Sequence, residues 1–302
     1  MAAPDRLTGH RPHVFSSVFG KLRHRVPRGE SITLRLYLDL LKKALMNEVG
    51  IENELRIHYL RSCIAGRIAP DDIVLRDIRT RRGDDFREYL AARRDGNLFR
   101  DQVIEFPYTM IGQKRLDNLE VLLTRIIEEG VPGDVIECGV WRGGASIFMR
   151  GVMKARGALD RTLWLADSFC GLPSPEAPED TGYDLTSFTA LAIDAETVRE
   201  GFRRFDLLDE GVRFLEGWFA DTLPRAPIGR LALMRLDGDL YKSTIDALEP
   251  LYPKLERGGY VVIDDYGAFP PCRQAVHDFR AKHAIGAPIS VIDWTGVYWR
   301  KG

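Results

Sequence analysis

Long apolar runs are absent from this sequence. No stretch of the 302 residues stays apolar over the roughly 18 residues that a membrane span needs, and residues 1–30 lack the apolar core of a secretory signal. The net charge at pH 7 is only −1, so no overall electrostatic field attracts the chain to nucleic acid or to a membrane surface. We therefore predict a cytoplasmic protein without a nucleic-acid or membrane partner, with a loose basic arm over residues 1–30.

Paired cysteines and the dinucleotide-binding fingerprint are also missing. The four cysteines form no CxxC pair, which predicts reduced thiols rather than a disulfide framework or a zinc site. The glycine motif GxGxxG does not occur, and the glycines of GVWRGG over residues 139–144 have the spacing GxxxGG instead. This spacing argues against a nicotinamide-dependent enzyme.

The first third of the chain is predicted to be helical. Residues 31–48 carry apolar side chains at helical spacing, and Ser31 or Thr33 could cap the start of this helix. Residues 50–107 are charged and weakly patterned, which favours a solvated surface subdomain over the alternative of a substrate lid. We assign residues 31–112 to a helical cap and oligomerisation region, because the apolar stripe of 31–48 must be buried somewhere.

From residue 113 onwards, short apolar strands alternate with helices. The predicted strands have the sequences DVIECGV, TLWLADSF, VRFLEGWF, LALMRLDGD and GYVVIDDYG, and one of the intervening helices is predicted over residues 186–205. The alternation predicts an α/β domain with a parallel sheet covered on both faces. Two last strands, split at a tight hairpin around Thr295 and Gly296, complete a mostly parallel seven-stranded sheet over residues 113–302.

Ligands of open parallel sheets bind beyond the carboxyl ends of the strands. Glycines after the first strand permit a tight turn and a close approach of backbone to a ligand, although a turn made for packing alone is the alternative. Asp167, at the end of the second strand, is placed to bond ribose hydroxyls, or else to cap its own turn. The residues after the third strand could flank an adenine ring or belong to the core. The candidates at these three strand ends are Glu137, Gly139, Val140, Gly143, Asp167, Ser168, Gly217 and Trp218.

Carboxylates follow the fourth and fifth strands. Asp237 and Asp239 end the fourth strand, and Asp264 and Asp265 end the fifth. The intervening strand–helix–strand unit is long enough for a right-handed crossover that places these ends side by side. Carboxylates at such a distance repel one another, and a hard divalent cation with oxygen ligands removes the conflict.

Other interpretations of these polar residues stay open. The aspartates could be separate helix caps that pair with Arg235 or Lys242. His277, on the helix after the fifth strand, is a candidate general base, although a histidine with satisfied hydrogen bonds is the simpler interpretation.

At these residues the chain resembles the macrocin O-methyltransferase family of antibiotic sugar methyltransferases. The resemblance covers about residues 34–46 and 109–300 and rests on the runs LYLDLLKKAL, TMIGQKRLDNL, VIECGVWRGGASIFMRGV, LADSFCGLP, EGWFADTLP, MRLDGDLYKSTIDALEPLYPKL, GGYVVIDDYGAFPPCRQAVHDFR and IDWTGVYWR. It implies a Rossmann-like class I fold, S-adenosylmethionine and Mg²⁺ as cofactors, and methylation of a sugar hydroxyl in secondary metabolism. It also implies a homodimer or a larger homo-oligomer formed through N-terminal helices.

The resemblance also implies roles for individual residues. Asp167 would hold the ribose, and Asp237 would be both a metal ligand and the general base, beside the second candidate base His277 that its place on the helix suggests. The cofactor would further contact Thr109, Met110, Glu137, Gly139, Val140, Gly143, Ser168, Gly217, Trp218 and Asp237. The metal ligands would be Asp237, Asp264 and Asp265.

The acceptor is the least determined part of this hypothesis. Residues 50–107 depart from the family pattern, and the corresponding segment helps to close the acceptor site in the family. A catechol-type phenol, which also presents two adjacent oxygens to a metal, is therefore an alternative acceptor to a sugar. A cofactor-binding protein without catalysis is a further alternative, against which the intact aspartates argue.

Overall fold

A seven-stranded sheet forms the centre of the molecule. The computed structural model describes residues 31–97 and 105–302, so the arm predicted over residues 1–30 lies outside the described residues. The strands are β1 (Asp134–Cys138), β2 (Leu163–Asp167), β3 (Val212–Glu216), β4 (Leu231–Leu236), β5 (Leu255–Ile263), β6 (Ser290–Val291) and β7 (Val297–Arg300). Their order is β3-β2-β1-β4-β5-β7-β6, with β1 to β5 parallel and β7 antiparallel to both of its neighbours. The predicted α/β sheet with a C-terminal antiparallel hairpin is confirmed.

Helices cover both faces of the sheet. They are α1 (Ile32–Leu45), α2 (Ile51–Gly66), α3 (Asp72–Arg76), α4 (Ile78–Arg81), α5 (Gly83–Asp95), α6 (Gln113–Glu128), α7 (Gly144–Ala155), α8 (Ala195–Arg204), α9 (Phe219–Thr222), α10 (Tyr241–Leu251) and α11 (Pro270–Lys282). Side chains alternate along each strand, so Val135 packs under α1, α6, α7 and α8, whereas Ile136 packs under α10 and α11. Burial on both faces explains why β1 and β4 have nearly continuous apolar sequences.

Helices α2 to α5 form a small bundle beside the sheet domain, which we call the α2–α5 bundle. Its core contains Ile51, Leu55 and Ile78 and excludes most of the charged residues that dominate its sequence. Glu54 and Arg93 are the exception, since they form a fully buried ion pair inside the bundle. The end of α5 reaches the carboxyl edge of the sheet, as described below.

Two local predictions were wrong. The helix predicted over residues 186–205 exists only as α8, because the side chain of Asp194 accepts a hydrogen bond from the Thr197 amide (2.7 Å) and caps the helix there. The predicted tight hairpin is a longer connection over residues 292–296, in which Asp293 accepts hydrogen bonds from the amides of Thr295 and Gly296. None of the helices in the described part of the chain is both long enough and apolar enough to cross a membrane.

Candidate active site

The turn after β1 brings the ends of β1 and β4 into direct contact. Gly139 has a φ of +86°, and a Cβ atom at this position would lie 1.8 Å from the carbonyl oxygen of Asp237. Gly143 also has a positive φ, of +81°, and precedes α7. The amide of Gly144 donates to the carbonyl of Tyr108 (3.0 Å), which places the segment with Thr109 and Met110 above the turn. Only glycine fits these close backbone approaches.

Asp167, at the end of β2, is held by backbone amides. One carboxylate oxygen accepts from the amide of Val140 (2.6 Å) and the other from the amide of Phe169 (2.8 Å). Burial raises the pKa of Asp167 in spite of these bonds. Ser168 shapes the following turn by donating to the carbonyl of Gly171 (2.6 Å). Longer bonds from the Trp141 amide (3.4 Å) and the Ser168 hydroxyl (3.5 Å) complete the contacts of Asp167, so its carboxylate is fixed in direction.

A buried guanidinium joins the ends of β1, β4 and β5. Arg235 is 2% exposed and donates to Glu137 (2.5 Å) and to Asp237 (2.9 Å). Its Nη2 also lies 2.7 Å from Oδ1 of Asp264. Burial raises the pKa of Glu137 to about 7, although Arg235 and a hydrogen bond from Ser146 act in the opposite direction.

Four aspartates face the space beyond β4 and β5. Carboxylate oxygens of Asp237, Asp239 and Asp265 all lie within 4.8 Å of one another. Asp264 stands beside this group, and its other oxygen, Oδ2, is bonded to Arg115 of α6. Burial, reinforced by the neighbouring carboxylates, raises the pKa of Asp237, that of Asp239 to about 8, and that of Asp265 well above its usual range. The ionised forms of these neighbouring carboxyl groups are therefore strongly disfavoured unless a cation is present.

Two adjoining cavities open over these strand ends. The aspartate cavity, of about 410 Å³, is lined by Glu137, Arg235 and all four aspartates. The Asp167 cavity, of about 510 Å³, is lined by Asp167, Ser168 and Trp218. The two cavities share part of their walls, formed by Met110, Gly139, Trp141, Leu191, Asp237 and Asp239.

Most of the residues predicted from the sequence lie on these walls. Thr109, Met110 and Val140 line the aspartate cavity in addition to the residues above. Gly143 and Gly217 line neither cavity, and their backbone shapes the turns instead: the amide of Gly217 donates to the carbonyl of Asp167 (2.9 Å). Trp218 is 40% exposed, so it belongs to the cavity wall and not to the core.

His277 is not brought to the site. It lies on the exposed face of α11, lines neither cavity, and bonds the hydroxyl of Tyr266 through Nε2 (2.8 Å). Helical periodicity explains the difference, because Ala275, Val276 and Phe279 supply the buried face of α11 and turn residue 277 outward.

Among the residues of the aspartate cavity that the sequence did not indicate, Asp239 and Arg115 carry charge. Asp239 was noted at the strand end without a role, although the spacing DGD allows both of its carboxylates to reach one cavity. Arg115 has no role in the sequence analysis, whereas in the structure it bonds Asp264 and Asp293 while it is 6% exposed. No local pattern marks it, since an arginine in the first turns of a helix is usually solvated.

Comparisons with known proteins agree with this arrangement. The macrocin-O-methyltransferase (TylF) family model matches residues 34–301. The chain is 55% identical over 197 residues to 8-demethyl-8-(2,3-dimethoxy-alpha-L-rhamnosyl)-tetracenomycin-C 4'-O-methyltransferase of Streptomyces olivaceus, which covers 64% of this chain and 75% of that protein. It is 50% identical over 200 residues to mycinamicin III 3''-O-methyltransferase of Micromonospora griseorubida, with 64% and 78% covered.

Solved structures extend the likeness to the whole fold. The O-methyltransferase NovP matches with a TM-score of 0.71 and 41% identity, covering 89% of this chain and 99% of that one. The calicheamicin methyltransferase CalS11 matches with a TM-score of 0.56 at 19% identity, covering 72% and 93%, which is a likeness of fold alone. The chain therefore belongs to the macrocin O-methyltransferase family and has the Rossmann-like fold of class I O-methyltransferases.

Proposed function

We propose that this protein transfers the methyl group of S-adenosylmethionine to a hydroxyl of a sugar-bearing small molecule, with Mg²⁺ bound at the aspartates. The observation that carries the proposal is the shared wall of the two cavities. On one side of it lies a carboxylate that is oriented for neutral hydroxyls, and on the other lie carboxylates that need a cation. The relatives named above act on sugar-bearing molecules, which supports the choice of acceptor.

The cofactor would span both cavities. Asp167 suits the two ribose hydroxyls, because backbone amides already fix its carboxylate. Trp218 offers a partly exposed aromatic face to the adenine. The methionine part would extend past Gly139 towards Thr109 and Glu137, where a buried carboxylate can accept from the amino group. The sulfonium methyl would then lie near the shared wall.

The aspartate cavity fits a divalent cation. Within residues 31–97 and 105–302, two guanidinium groups, those of Arg115 and Arg235, compensate six carboxylates, which belong to Glu137, Asp237, Asp239, Asp264, Asp265 and Asp293. Oδ1 of Asp264 is buried and lies 2.7 Å from Nη2 of Arg235, in a geometry that does not make a hydrogen bond. Oxygen-only donors select Mg²⁺, Mn²⁺ or Ca²⁺ over zinc or copper. When bound, the ion would supply positive charge that lowers the pKa of an acceptor hydroxyl.

We propose different residues for the metal ligands and for the general base. We assign Asp237, Asp264 and Asp265 to the metal, since all three directly follow β4 or β5 and line the aspartate cavity. Asp239 replaces Asp237 as the proposed base, because the Asp237 carboxylate is bonded to Arg235, which opposes its protonation. The Asp239 carboxylate accepts no hydrogen bond among the described residues and lies within reach of Asp237 and Asp265. It can therefore take the proton of a hydroxyl held at that point.

The rate enhancement would come mainly from positioning. An in-line displacement needs the acceptor oxygen, the methyl carbon and the sulfur in one line, and holding them so can supply roughly 7–11 kcal/mol of the barrier. The rigid strand ends provide this, because Gly139 and Asp237 touch through their backbones. Remote apolar residues around the aspartate cavity would bind the rest of the acceptor; they include Leu185, Phe188, Leu191, Phe269 and Trp294.

Acceptor profiling with radiolabelled S-adenosylmethionine tests the proposal. We expect label transfer to glycosides or nucleotide sugars with neighbouring hydroxyls and little transfer to simple catechols. Transfer to catechols alone would replace the sugar acceptor by the phenolic one. Tight cofactor binding without turnover on any acceptor would favour a non-catalytic binding protein.

Association through α1 is a second, independent part of the proposal. Ile32, Leu36 and Leu40 follow one another at helical spacing and are 69%, 63% and 60% exposed, while the opposite face of α1 packs against α7. A helix with apolar side chains on two faces needs a second partner. We expect a dimer or larger assembly by light scattering, and dissociation when Leu36 and Leu40 are both replaced by lysine. A monomeric mass for the unsubstituted chain at micromolar concentration would contradict this.

A further inference from the structure

One guanidinium in the wall of the aspartate cavity contacts three separate segments of the chain. Arg115, in the first turns of α6, donates from Nη1 to Asp264 at the end of β5. Its Nε donates to Asp293 in the loop over residues 292–296 (3.0 Å), and its Nη2 donates to the carbonyl of Gly96 after α5 (3.1 Å). A carboxylate proposed as a metal ligand, the C-terminal hairpin loop and the end of the α2–α5 bundle thus share one side chain.

The end of α5 is held at this point by two further contacts. Gly96 and Gly112 cross so closely that a Cβ on Gly96 would lie 2.6 Å from the Gly112 amide nitrogen. The indole nitrogen of Trp294 donates to the carbonyl of Asp95 (3.2 Å). Trp294 is 53% exposed and lines the aspartate cavity together with Gly96. The bundle therefore supplies one wall of this cavity, and Arg115 and Trp294 attach that wall to the sheet domain.

We propose that Arg115 is a positioning residue that couples the orientation of Asp264 to the seating of the α2–α5 bundle against the acceptor cavity. The inference rests on the proposed function and adds to it a link between metal binding and acceptor binding. A planar guanidinium presents its N–H donors in fixed directions, so satisfying the three partners together determines their relative positions. Displacement of the bundle would move the guanidinium, and with it the oxygen of Asp264.

The substitution Arg115→Lys isolates this geometry from the charge. Lysine keeps the positive charge beside Asp264 but cannot hold three partners in the directions set by a guanidinium. We expect Mn²⁺, used as the probe metal in titration calorimetry, to bind about 10- to 100-fold more weakly, the usual range for loss of an outer contact on a metal ligand. Acceptor KM should rise as well, while binding of S-adenosylhomocysteine, held mainly at Asp167, should not change.

Arg150→Lys is the matched control. Arg150 is also buried, donates twice to one carboxylate (Asp209, 2.6 and 3.3 Å) and once to a backbone carbonyl, and lines neither cavity. Both variants should lose some thermal stability, because each loses charge-assisted hydrogen bonds. Only Arg115→Lys should change Mn²⁺ binding. Equal loss of Mn²⁺ affinity in both variants would show that Arg115 contributes only to general packing, which would overturn the coupling.

Trp294→Phe separates the two attachments of the bundle. Phenylalanine keeps an aromatic face but removes the donor to Asp95, so acceptor KM should rise. The Mn²⁺ affinity should fall by a smaller factor than in Arg115→Lys, because Arg115 still bonds Asp264 directly. In the double variant with Arg115→Lys, the increase in KM should be smaller than the product of the single increases, because both side chains hold the same wall.

The outcomes distinguish this inference from the function on which it rests. If the unsubstituted protein binds no Mn²⁺, both the metal-dependent function and the coupling are refuted. If it binds Mn²⁺ and Arg115→Lys binds it equally well, only the coupling is overturned. Should Arg115→Lys fail to fold, Asp293→Asn provides the same test, because it removes the charge that orients Nε and leaves Asp264 untouched. An unchanged Mn²⁺ affinity in a folded Asp293→Asn variant would then overturn the coupling.

Discussion

The two cavities differ in how the negative charge of their carboxylates is compensated. In the Asp167 cavity, the carboxylate of Asp167 accepts hydrogen bonds from the backbone amides of Val140 and Phe169. In the aspartate cavity, four neighbouring aspartates share two arginines, and the pKa of Asp239 is raised to about 8. Backbone dipoles compensate the first site without an added charge, so it suits neutral hydroxyl donors. The second site has an excess of negative charge, so it calls for a cation.

Removal of the metal should have the largest effect on this difference between the cavities. We expect excess EDTA to abolish methyl transfer, while the affinity for S-adenosylhomocysteine stays almost unchanged, because Asp167 and Trp218 lie in the other cavity. Turnover with a competent acceptor and cofactor binding by calorimetry should be measured in the same buffer. Re-addition of Mg²⁺ is the control. Full turnover in EDTA would refute the proposed metal dependence. The aspartates would then be interpreted as helix caps and ion-pair partners.

Substitutions within the aspartate cavity should divide its residues by role. Asp239→Asn should lower kcat by roughly 10²- to 10⁴-fold, the usual contribution of a positioned base, and leave Mn²⁺ binding intact. Asp237→Asn should weaken Mn²⁺ binding as well, because it removes a proposed ligand. Single-turnover kinetics and metal titration of both variants provide the test. If Asp239→Asn loses the metal while Asp237→Asn keeps it, the two assignments must be exchanged.

The Asp167 cavity should respond through cofactor affinity alone. Asp167→Ala removes charge-assisted hydrogen bonds to the ribose, so binding of S-adenosylhomocysteine should weaken by roughly 1.5–3 kcal/mol. Mn²⁺ binding should not change, since Asp167 is not part of the carboxylate group formed by Asp237, Asp239 and Asp265. Ser168→Ala is a useful comparison, because its hydroxyl bonds the carbonyl of Gly171. Unchanged cofactor binding in Asp167→Ala would remove this residue from the site.

The pH dependence of stability should give the smallest effect. Asp239 has a pKa of about 8 in the folded protein without a cation, against about 3.9 in an unfolded chain. A carboxyl group whose pKa is higher in the folded than in the unfolded chain makes its full contribution to stability at pH values below the unfolded pKa. That contribution is lost as the pH rises through the pKa of the folded state.

Chelated protein should therefore lose stability between pH 7 and pH 8, by at most about 1.4 kcal/mol for this group, or about 2–4 °C in Tm for a chain of this size. Added Mg²⁺ should raise Tm more at pH 8 than at pH 7. Differential scanning fluorimetry of the protein and of Asp239→Asn measures both. An equal pH dependence in the two proteins would exclude Asp239 as its source.

Much of the fold could be predicted because its signals are local. The apolar run of β4 and the glycine turn after β1 each lie within a few consecutive residues, and their alternation with helices determines a covered parallel sheet. Predictions failed where periodicity competes with a cap or a turn. Asp194 starts α8 about eight residues later than the apolar pattern suggested, and Asp293 lengthens the hairpin loop.

By itself, the sequence determined the sheet, the glycine turn and the set of carboxylates at the ends of β2, β4 and β5, because strand ends follow directly from apolar runs. Only the tertiary structure decided how these groups are used. It turned His277 to the surface, bonded Asp237 to Arg235, and left the neighbouring Asp239 carboxylate without a hydrogen bond from any residue that the structure describes. It also placed Arg115, which is 149 residues from Asp264 along the chain, against that carboxylate. Such contacts depend on how helices and loops pack over the strand ends, and no pattern of neighbouring residues encodes them.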